Sequence, residues 1–214
     1  MSVKTEPGNF FEDFKPGQEI VHAAPRTVTE GDVSLYTALY GSRFAVQSSD
    51  MFAISLGFEA APVDDLLVFH IVFGKTVPDI SLNAVANLGY ASGRFAGAVY
   101  PGDTLRTVSQ VIGAKENSNS KTGVVYVHST GVNQRDEPVL DFVRWVMVRK
   151  GDASSPAPET VVPDLAPFVD ERELVVPEGI SLAGYDFDLA GSSLTWDDYQ
   201  VGEKIDHVDG MTIE

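Results

Sequence analysis

The sequence predicts an α+β domain in which an antiparallel sheet curls around one long apolar helix. Two observations carry this prediction. From 64 to 78 the chain reads DDLLVFHIVFGKTVP, apolar on nearly every side, and a helix of that kind has to be wrapped by something. Helical patterns also come first, and four strand-like segments then follow one another through short polar connections.

The elements follow in order. Phe10, Phe11 and Phe14 precede the turn signal Pro16-Gly17, and EIVHAAPRTV at 19–28 reads as a short strand or extended segment. Thr29 with Asp32 three residues on has the form of a capping box, with Val33, Leu35, Tyr36 and Leu39 following on a helix that ends near Gly41. A second short helix runs from Ser49-Asp50 through Phe52 and Leu56 to Gly57. Pro62 and the pair Asp64-Asp65 open the long helix, Lys75 suits its C-terminal end, and Pro78 marks its stop. NAVANLGYASGRF, TLRTVSQVIG, GVVYVHSTGV and PVLDFVRWVMV are the strands. PGD at 101–103, KENSNSK at 115–121 and NQRDE at 133–137 supply the turns between the last three and before them.

Residues 8–150 thus form one domain. The stretch 151–193 carries Pro156, Pro158, Pro163, Pro167 and Pro177 without sustained periodicity, and reads as a linker crossing the domain surface. It leads into a repeat. FEDFKPGQEIVHAAPRTVT at 11–29 aligns without a gap on WDDYQVGEKIDHVDGMTIE at 196–214. Phe11 meets Trp196, Asp13 meets Asp198, Phe14 meets Tyr199, Gly17 meets Gly202, His22 meets His207 and Thr27 meets Thr212. Residues 194–214 are therefore expected to open a second copy of the domain.

Composition narrows the function classes. The formal net charge of −16 opposes binding to nucleic acid or to an anionic membrane surface. It also repels an anionic cofactor such as coenzyme A at long range, so a site for one must rest on local Arg or Lys, backbone N–H groups and apolar grooves. Cysteine is absent, which removes thiol nucleophiles and cysteine metal sites and agrees with a cytoplasmic setting. No apolar run approaches the ~20 residues that span a bilayer, and MSVKTEPGNFFEDF does not have the form of a signal peptide.

PGDTL at 101–105, preceded by GRFAGAVY, resembles the MaoC-like dehydratases, the (R)-specific enoyl-CoA hydratases. The longer strings FFEDFKPGQEI, VTEGDVSLYTALYGSRFAVQSSD, APVDDLLVFHIVFGKTVPDISLNAVANLGYASGRF and NSKTGVVYVHSTGVNQRDEPVLDFVRWVMVRK strengthen the resemblance. It covers residues 8–214 but only the first part of a longer protein of two hot-dog domains. It implies a hot-dog fold, here the first repeat of a double hot-dog. The implied activity is reversible addition of water to a branched enoyl-CoA thioester, with no cofactor beyond the coenzyme A of the substrate.

Related hydratases carry Asp-x-Asn-Pro-x-His after the first helix, where a carboxylate and an imidazole hold one water for proton removal and delivery. This chain departs from that pattern. Ser42 stands in place of Asp, Phe44 of Asn, Ala45 of Pro and Gln47 of His. Neither Ser42 nor Gln47 titrates near neutral pH, so no catalytic residue is expected in this half, and the working pair is expected in the second repeat.

The other candidates divide between structure and binding. His70 is expected to be a core histidine with a hydrogen-bond partner, and His22 and His207 to share a structural role. His128 is expected to face outward from its strand. No two histidines have helical ligand spacing, so no metal site is expected. Asp64 and Asp65 read as helix caps. Ala60, Ala61, Pro62 and Val63 form a loop of little bulk at its start that an acyl-pantetheine chain could approach. Asn83, Arg94, Phe95 and Ala96 are expected along the same groove, with Arg94 meeting a phosphate or a distal carboxylate. The competing readings are a non-catalytic hot-dog module that binds acyl-CoA or supports assembly, and a thioesterase on the same fold. The expected partners are an acyl-CoA thioester and a second hot-dog repeat or another copy.

Overall fold

Five helices and six strands follow one another in the order the sequence suggests, in a computed structural model that describes residues 6–41 and 44–206. β1 (Glu19–Val21) and β2 (Arg26–Thr27) lead into α1 (Glu30–Tyr40), α2 (Ala45–Ser48), α3 (Asp50–Ser55) and α4 (Asp65–Thr76). Then come β3 (Ala84–Phe95), β4 (Thr104–Glu116), β5 (Thr122–Val132) and β6 (Pro138–Arg149), and later the short α5 (Phe187–Ala190). The sheet runs β1-β4-β5-β6-β3, with β2 also on β4, and each pairing is antiparallel. With α4 across its inner face, this is the hot-dog arrangement.

Local chemistry sets the helix ends. The Thr29 hydroxyl accepts from the Asp32 backbone N–H at 3.2 Å, and the Asp32 carboxylate accepts from the Thr29 N–H at 2.9 Å. Gly41 closes α1 in the left-handed region at φ 60°, where a side chain would be strained. Asp64 caps α4 by accepting from the Leu66 N–H at 2.8 Å. The chain does not break at Pro78. It continues as one π-helical turn, Val77–Ser81, with Pro78 in its first turn.

The core follows the period of each element. On β5 the buried residues alternate, Val125, Val127, Ser129 and Gly131 facing inward. α4 lays Leu67, Val68, Ile71 and Val72 against Leu105, Leu140 and Phe142. Each such side chain stabilises by about 1.5–3 kcal/mol when fully buried. Helix and sheet approach tightly at Gly131, where a Cβ would lie 2.5 Å from Val72 Cγ2.

The sheet covers only one side of α4, contrary to the expectation of a helix wrapped all round. Leu66 is 57% exposed and Phe69 and Phe73 are half-buried. His70, one helical turn on from Leu66, is likewise exposed, so it is not the core histidine its apolar neighbours suggested. Its ring lies beside Tyr36 and Phe69, at 6.0 and 5.9 Å between centroids. The edge strand β3 continues this open face with Val85, Leu88 and Tyr90.

Two polar groups are built into the interior. His22 bonds through Nδ1 to Asp79 at 2.6 Å and through Nε2 to the Ser109 hydroxyl at 2.8 Å, which is a structural role. Arg144 of β6 is fully buried. Its guanidinium donates to the Thr76 and Ser81 hydroxyls at 2.8 and 3.2 Å and lies 4.5 Å from the centre of the Phe73 ring. Among the described residues no carboxylate pairs with it, and its Nε has no partner. Burial pushes its pKa down to about 10.

Residues 151–193 run first along the sheet and then against α2 and α3. Val161 exchanges backbone hydrogen bonds of 2.9 Å with Ala114, Glu173 approaches Arg94 at 3.9 Å, and the Ser181 N–H reaches the Leu56 carbonyl at 2.9 Å. Beyond them the aligned repeat segments take the same local shape. Phe11–Asp13 and Trp196–Asp198 are both single 3₁₀ turns closed by an aspartate that accepts from a backbone N–H. Gly17 and Gly202 both sit at φ 87°. His207 and Thr212 lie outside the described residues.

Candidate functional site

α1, α2, α3 and the loop that enters α4 enclose a cavity of about 900 Å³. Ala60, Ala61 and Val63 of the loop line it, together with Ser34 and Thr37 of α1, Gln47 of α2 and Tyr100 before β4. Two bonds hold the loop: the Ala61 N–H donates to the Asp50 carboxylate at 2.9 Å, and the Val63 N–H to the Val99 carbonyl at 2.8 Å. A second cavity of about 160 Å³ lies on the other side of Gln47, lined by Pro62, Asp65, Phe58 and Phe95 among others. Gln47 faces both.

The sequence-predicted residues therefore separate into two sets. Ala60, Ala61, Pro62, Val63 and Phe95 line one cavity or the other. Asn83, Arg94 and Ala96 line neither. The Asn83 amide is taken by the Pro7 and Asn9 carbonyls at 2.8 and 3.1 Å, so it ties down the N-terminal segment. Ala96 uses its N–H to bond Val139 across the strand end. Arg94 stands between Asp141 and Glu173, 3.9 Å from each, because alternation along β3 sends successive side chains to opposite faces. It is an outer-face ion-pair residue, apart from the loop 60–63.

The electrostatics of the cavities are acidic. Glu30, Asp50 and Glu59 border the larger one, and among the described residues no Lys or Arg lines either. Burial, and secondarily the charge of Asp64, hold the Asp65 carboxyl above the usual carboxylate range. Two histidine–carboxylate pairs exist among the described residues, His22–Asp79 and His128–Asp141, each at 2.6 Å. Neither pair lines either of these cavities. His128 lies on the outer face as expected, half-covered, with Thr130 sharing Asp141. Among the described residues no group of three His, Cys, Asp or Glu has the placement to hold a metal. Ser42, where the hydratase pattern has its aspartate, lies outside the described residues, while Gln47 at the histidine position offers only an amide.

Sequence reasoning missed the contribution of residues 174–187. Val175 and Pro177 wall the smaller cavity, and Val176, Ile180, Leu182 and Phe187 border a third, apolar one of about 610 Å³. The signal was the run Leu174-Val175-Val176, too apolar for a solvated linker.

The model of the MaoC like domain matches residues 12–133, more than half of the chain. The chain belongs to the MaoC-like domain family. It is 70% identical over all 214 residues to the beta-methylmalyl-CoA dehydratase of Chloroflexus aurantiacus, and 60% identical over 212 residues to the mesaconyl-CoA hydratase of Cereibacter sphaeroides. It spans 61% and 62% of the length of these curated relatives. The crystal structure of a MaoC domain protein dehydratase from Chloroflexus aurantiacus superposes with a TM-score of 0.94 at 70% identity, over all of this chain and 61% of that one. RV0216 of Mycobacterium tuberculosis, described as a double hotdog fold, matches with a TM-score of 0.64 at 24% identity over 78% of this chain and 50% of its own, a likeness of fold alone. Among the described residues of this MaoC-like chain, no helix is long and apolar enough to cross a membrane.

Proposed function

We propose that the protein carrying this MaoC-like domain interconverts mesaconyl-CoA and β-methylmalyl-CoA by addition and removal of water, and that this chain forms the half that shapes the acyl-CoA site. The observation that carries the reading is identity of 70% and 60% along essentially the whole chain to relatives named for the two directions of that reaction. Hydration needs one group to take a proton from water and one to deliver a proton to carbon. Gln47 does neither, and both histidine–carboxylate pairs lie away from the cavities. The acid–base pair therefore belongs to a second hot-dog unit, whose opening is residues 194–214.

That unit is also the partner proposed for the open face. β3 is an edge strand of 12 residues with Val85, Leu88 and Tyr90 exposed, beside Leu66 of α4. A long apolar edge of this kind is left unprotected in the chain alone. No cofactor beyond the coenzyme A of the substrate is required by this scheme, and the absence of cysteine fits a cytoplasmic setting.

The test is mesaconyl-CoA hydration by these 214 residues and by a chain extended through the second repeat. The short form is expected to be inactive and the long form active. Robust turnover by the short form would sink the division of labour.

A further inference from the structure

The inward row of β6 reads Leu140, Phe142, Arg144, Val146 and Val148, apolar except for one guanidinium. An apolar side chain of similar length would fill that place without stripping water from an ion. Here the ion is oriented but not neutralised. Its Nη2 donates to the Thr76 and Ser81 hydroxyls. The Thr76 hydroxyl gives its own proton to the Phe73 carbonyl at 2.7 Å, so towards Arg144 it can only accept. Hydroxyls of this kind fix the plane of a guanidinium and leave its charge uncompensated. Nε has no partner, and among the described residues no carboxylate pairs with the group. Even with its pKa lowered by burial to about 10, the side chain is charged at neutral pH.

The place of Arg144 in the fold indicates the side from which an anion comes. The Phe73 ring lies over the guanidinium, 4.5 Å from its carbon to the ring centre, and is half-buried on the open side of α4. The cross-strand neighbour of Arg144 is Tyr90 on the edge strand β3, which is exposed on the same face. The Phe73 ring centre is 5.6 Å from that of Phe69 and 6.4 Å from that of Tyr90. The charge thus lies one aromatic side chain below the face that the sheet leaves open, and a change of Phe73 rotamer uncovers it. We propose that Arg144 receives a free carboxylate carried by the acyl group, entering from the open face past Phe73 and Tyr90, so that this half selects dicarboxylic over monocarboxylic acyl thioesters. Guanidinium and carboxylate are matched in charge and geometry, and Nε is the donor still unspent. The guanidinium is already out of water, so only the incoming carboxylate has to be desolvated. That the carboxylate belongs to a coenzyme A thioester rests on the function proposed above; the buried, unneutralised guanidinium does not.

Two saturated thioesters, which cannot be hydrated, test this. Methylsuccinyl-CoA carries a free carboxylate and butyryl-CoA does not. Their dissociation constants are measured by calorimetry on the full-length protein and on its Arg144→Met and Arg144→Gln forms. The unsubstituted protein is expected to prefer methylsuccinyl-CoA. Both substitutions should weaken that probe about ten- to hundredfold, the loss of a charge-assisted contact, and leave butyryl-CoA where it was. A residue that only packs the interior would shift the two probes together or not at all.

The proposal is overturned by an unchanged ratio of the two constants in the variants, by equal affinity of the unsubstituted protein for both probes, or by no binding of either. It is also overturned if the substitutions lower the thermal stability of the ligand-free full-length protein and leave the ratio alone, for then the anion is an Asp or Glu of the protein itself. Should Arg144→Met fail to fold, Arg144→Gln, which keeps a polar group beside the two hydroxyls, reads the same ratio. Mesaconyl-CoA hydration is followed in parallel on the unsubstituted protein. Its absence alongside the expected change of ratio removes the hydratase reading and leaves the Arg144 site standing; hydration with an unchanged ratio does the reverse.

Discussion

One tight contact between α4 and the sheet is Val72 on Gly131, and its part in setting the helix position can be tested by a double-mutant cycle. A Cβ at position 131 would lie 2.5 Å from Val72 Cγ2, 2.8 Å from Cγ1 and 3.3 Å from Cβ. Gly131→Ala therefore forces the helix or the strand to move, and overpacking of this kind costs about 1–3 kcal/mol. Val72→Ala removes both Cγ methyls from a fully buried site, about 1.6 kcal/mol of transfer at ~0.8 kcal/mol per group, plus a cavity contribution. In the double mutant the two closest contacts no longer exist. The new Cβ then faces only the one at 3.3 Å, which a shift of a few tenths of an ångström relieves. The two losses should thus fall short of additivity by about 1–2 kcal/mol, against the ~0.5 kcal/mol scatter of uncoupled sites. Urea unfolding followed by circular dichroism, with the slope unchanged across the four proteins, supplies the numbers. Additive losses would show that the sheet relaxes freely around position 131 and that the close approach does not set the helix position.

Two further predictions concern the buried polar groups. Arg144 gains from the Phe73 face and two hydroxyls but has no counter-ion among the described residues, so its desolvation cost and its contacts roughly cancel. Arg144→Met is expected to change stability by about 1 kcal/mol or less, whereas Arg144→Ala leaves a cavity and costs about 3 kcal/mol in the same unfolding assay. Equal losses in both would mean that the charge itself stabilises the fold. For the histidines the expected pH effects are opposite in sign. His22 is held below its ordinary pKa of 6.5, first by burial, so the stability it contributes is lost as pH falls below 6.5 through its folded value. His128 is held above 6.5, first by its hydrogen bond to Asp141, so its contribution is complete below 6.5 and lost as pH rises through its folded value. NMR titration of the imidazole C–H signals reads both, and shifts of the same sign would contradict the geometry.

What could be read in the sequence was what short-range chemistry determines. The Thr29–Asp32 box and Gly41 bound α1, and Asp64 opens α4, because each acts within three or four residues. The four strands were visible through their alternation. What escaped depends on distant parts of the chain. His70 sits among apolar neighbours in sequence, but the sheet reaches only the opposite side of α4. Arg144 drew no separate reading within FVRWVMV, yet its strand position points it inward under Phe73. Asn83 and Arg94 were grouped with the loop 60–63 by their place near β3. The structure gives the first to the N-terminal segment and the second to the outer face, a division that depends on which way each side chain points.

The repeat shows the same distinction within one chain. Phe11 and Trp196 open the same 3₁₀ turn, and glycines at the same φ follow both. Yet Phe11 is fully buried and Trp196 is 89% exposed. Local sequence is thus sufficient for the turn and insufficient for its burial. Phe11 is buried because β5 offers Gly123, where even a Cβ would collide with its ring. Trp196, Tyr199 and Val201 have no such strand beneath them here, and they carry the aromatic and turn pattern of a segment that docks on its own sheet. Leaving side chains of this size in water has no local compensation, which supports the proposal that the sheet of a second hot-dog unit covers them. The second hot-dog unit proposed above would offer the same kind of surface to the β3 edge and to the open side of α4, so a single proposed partner bears on the exposed aromatic side chains and the open helix face together.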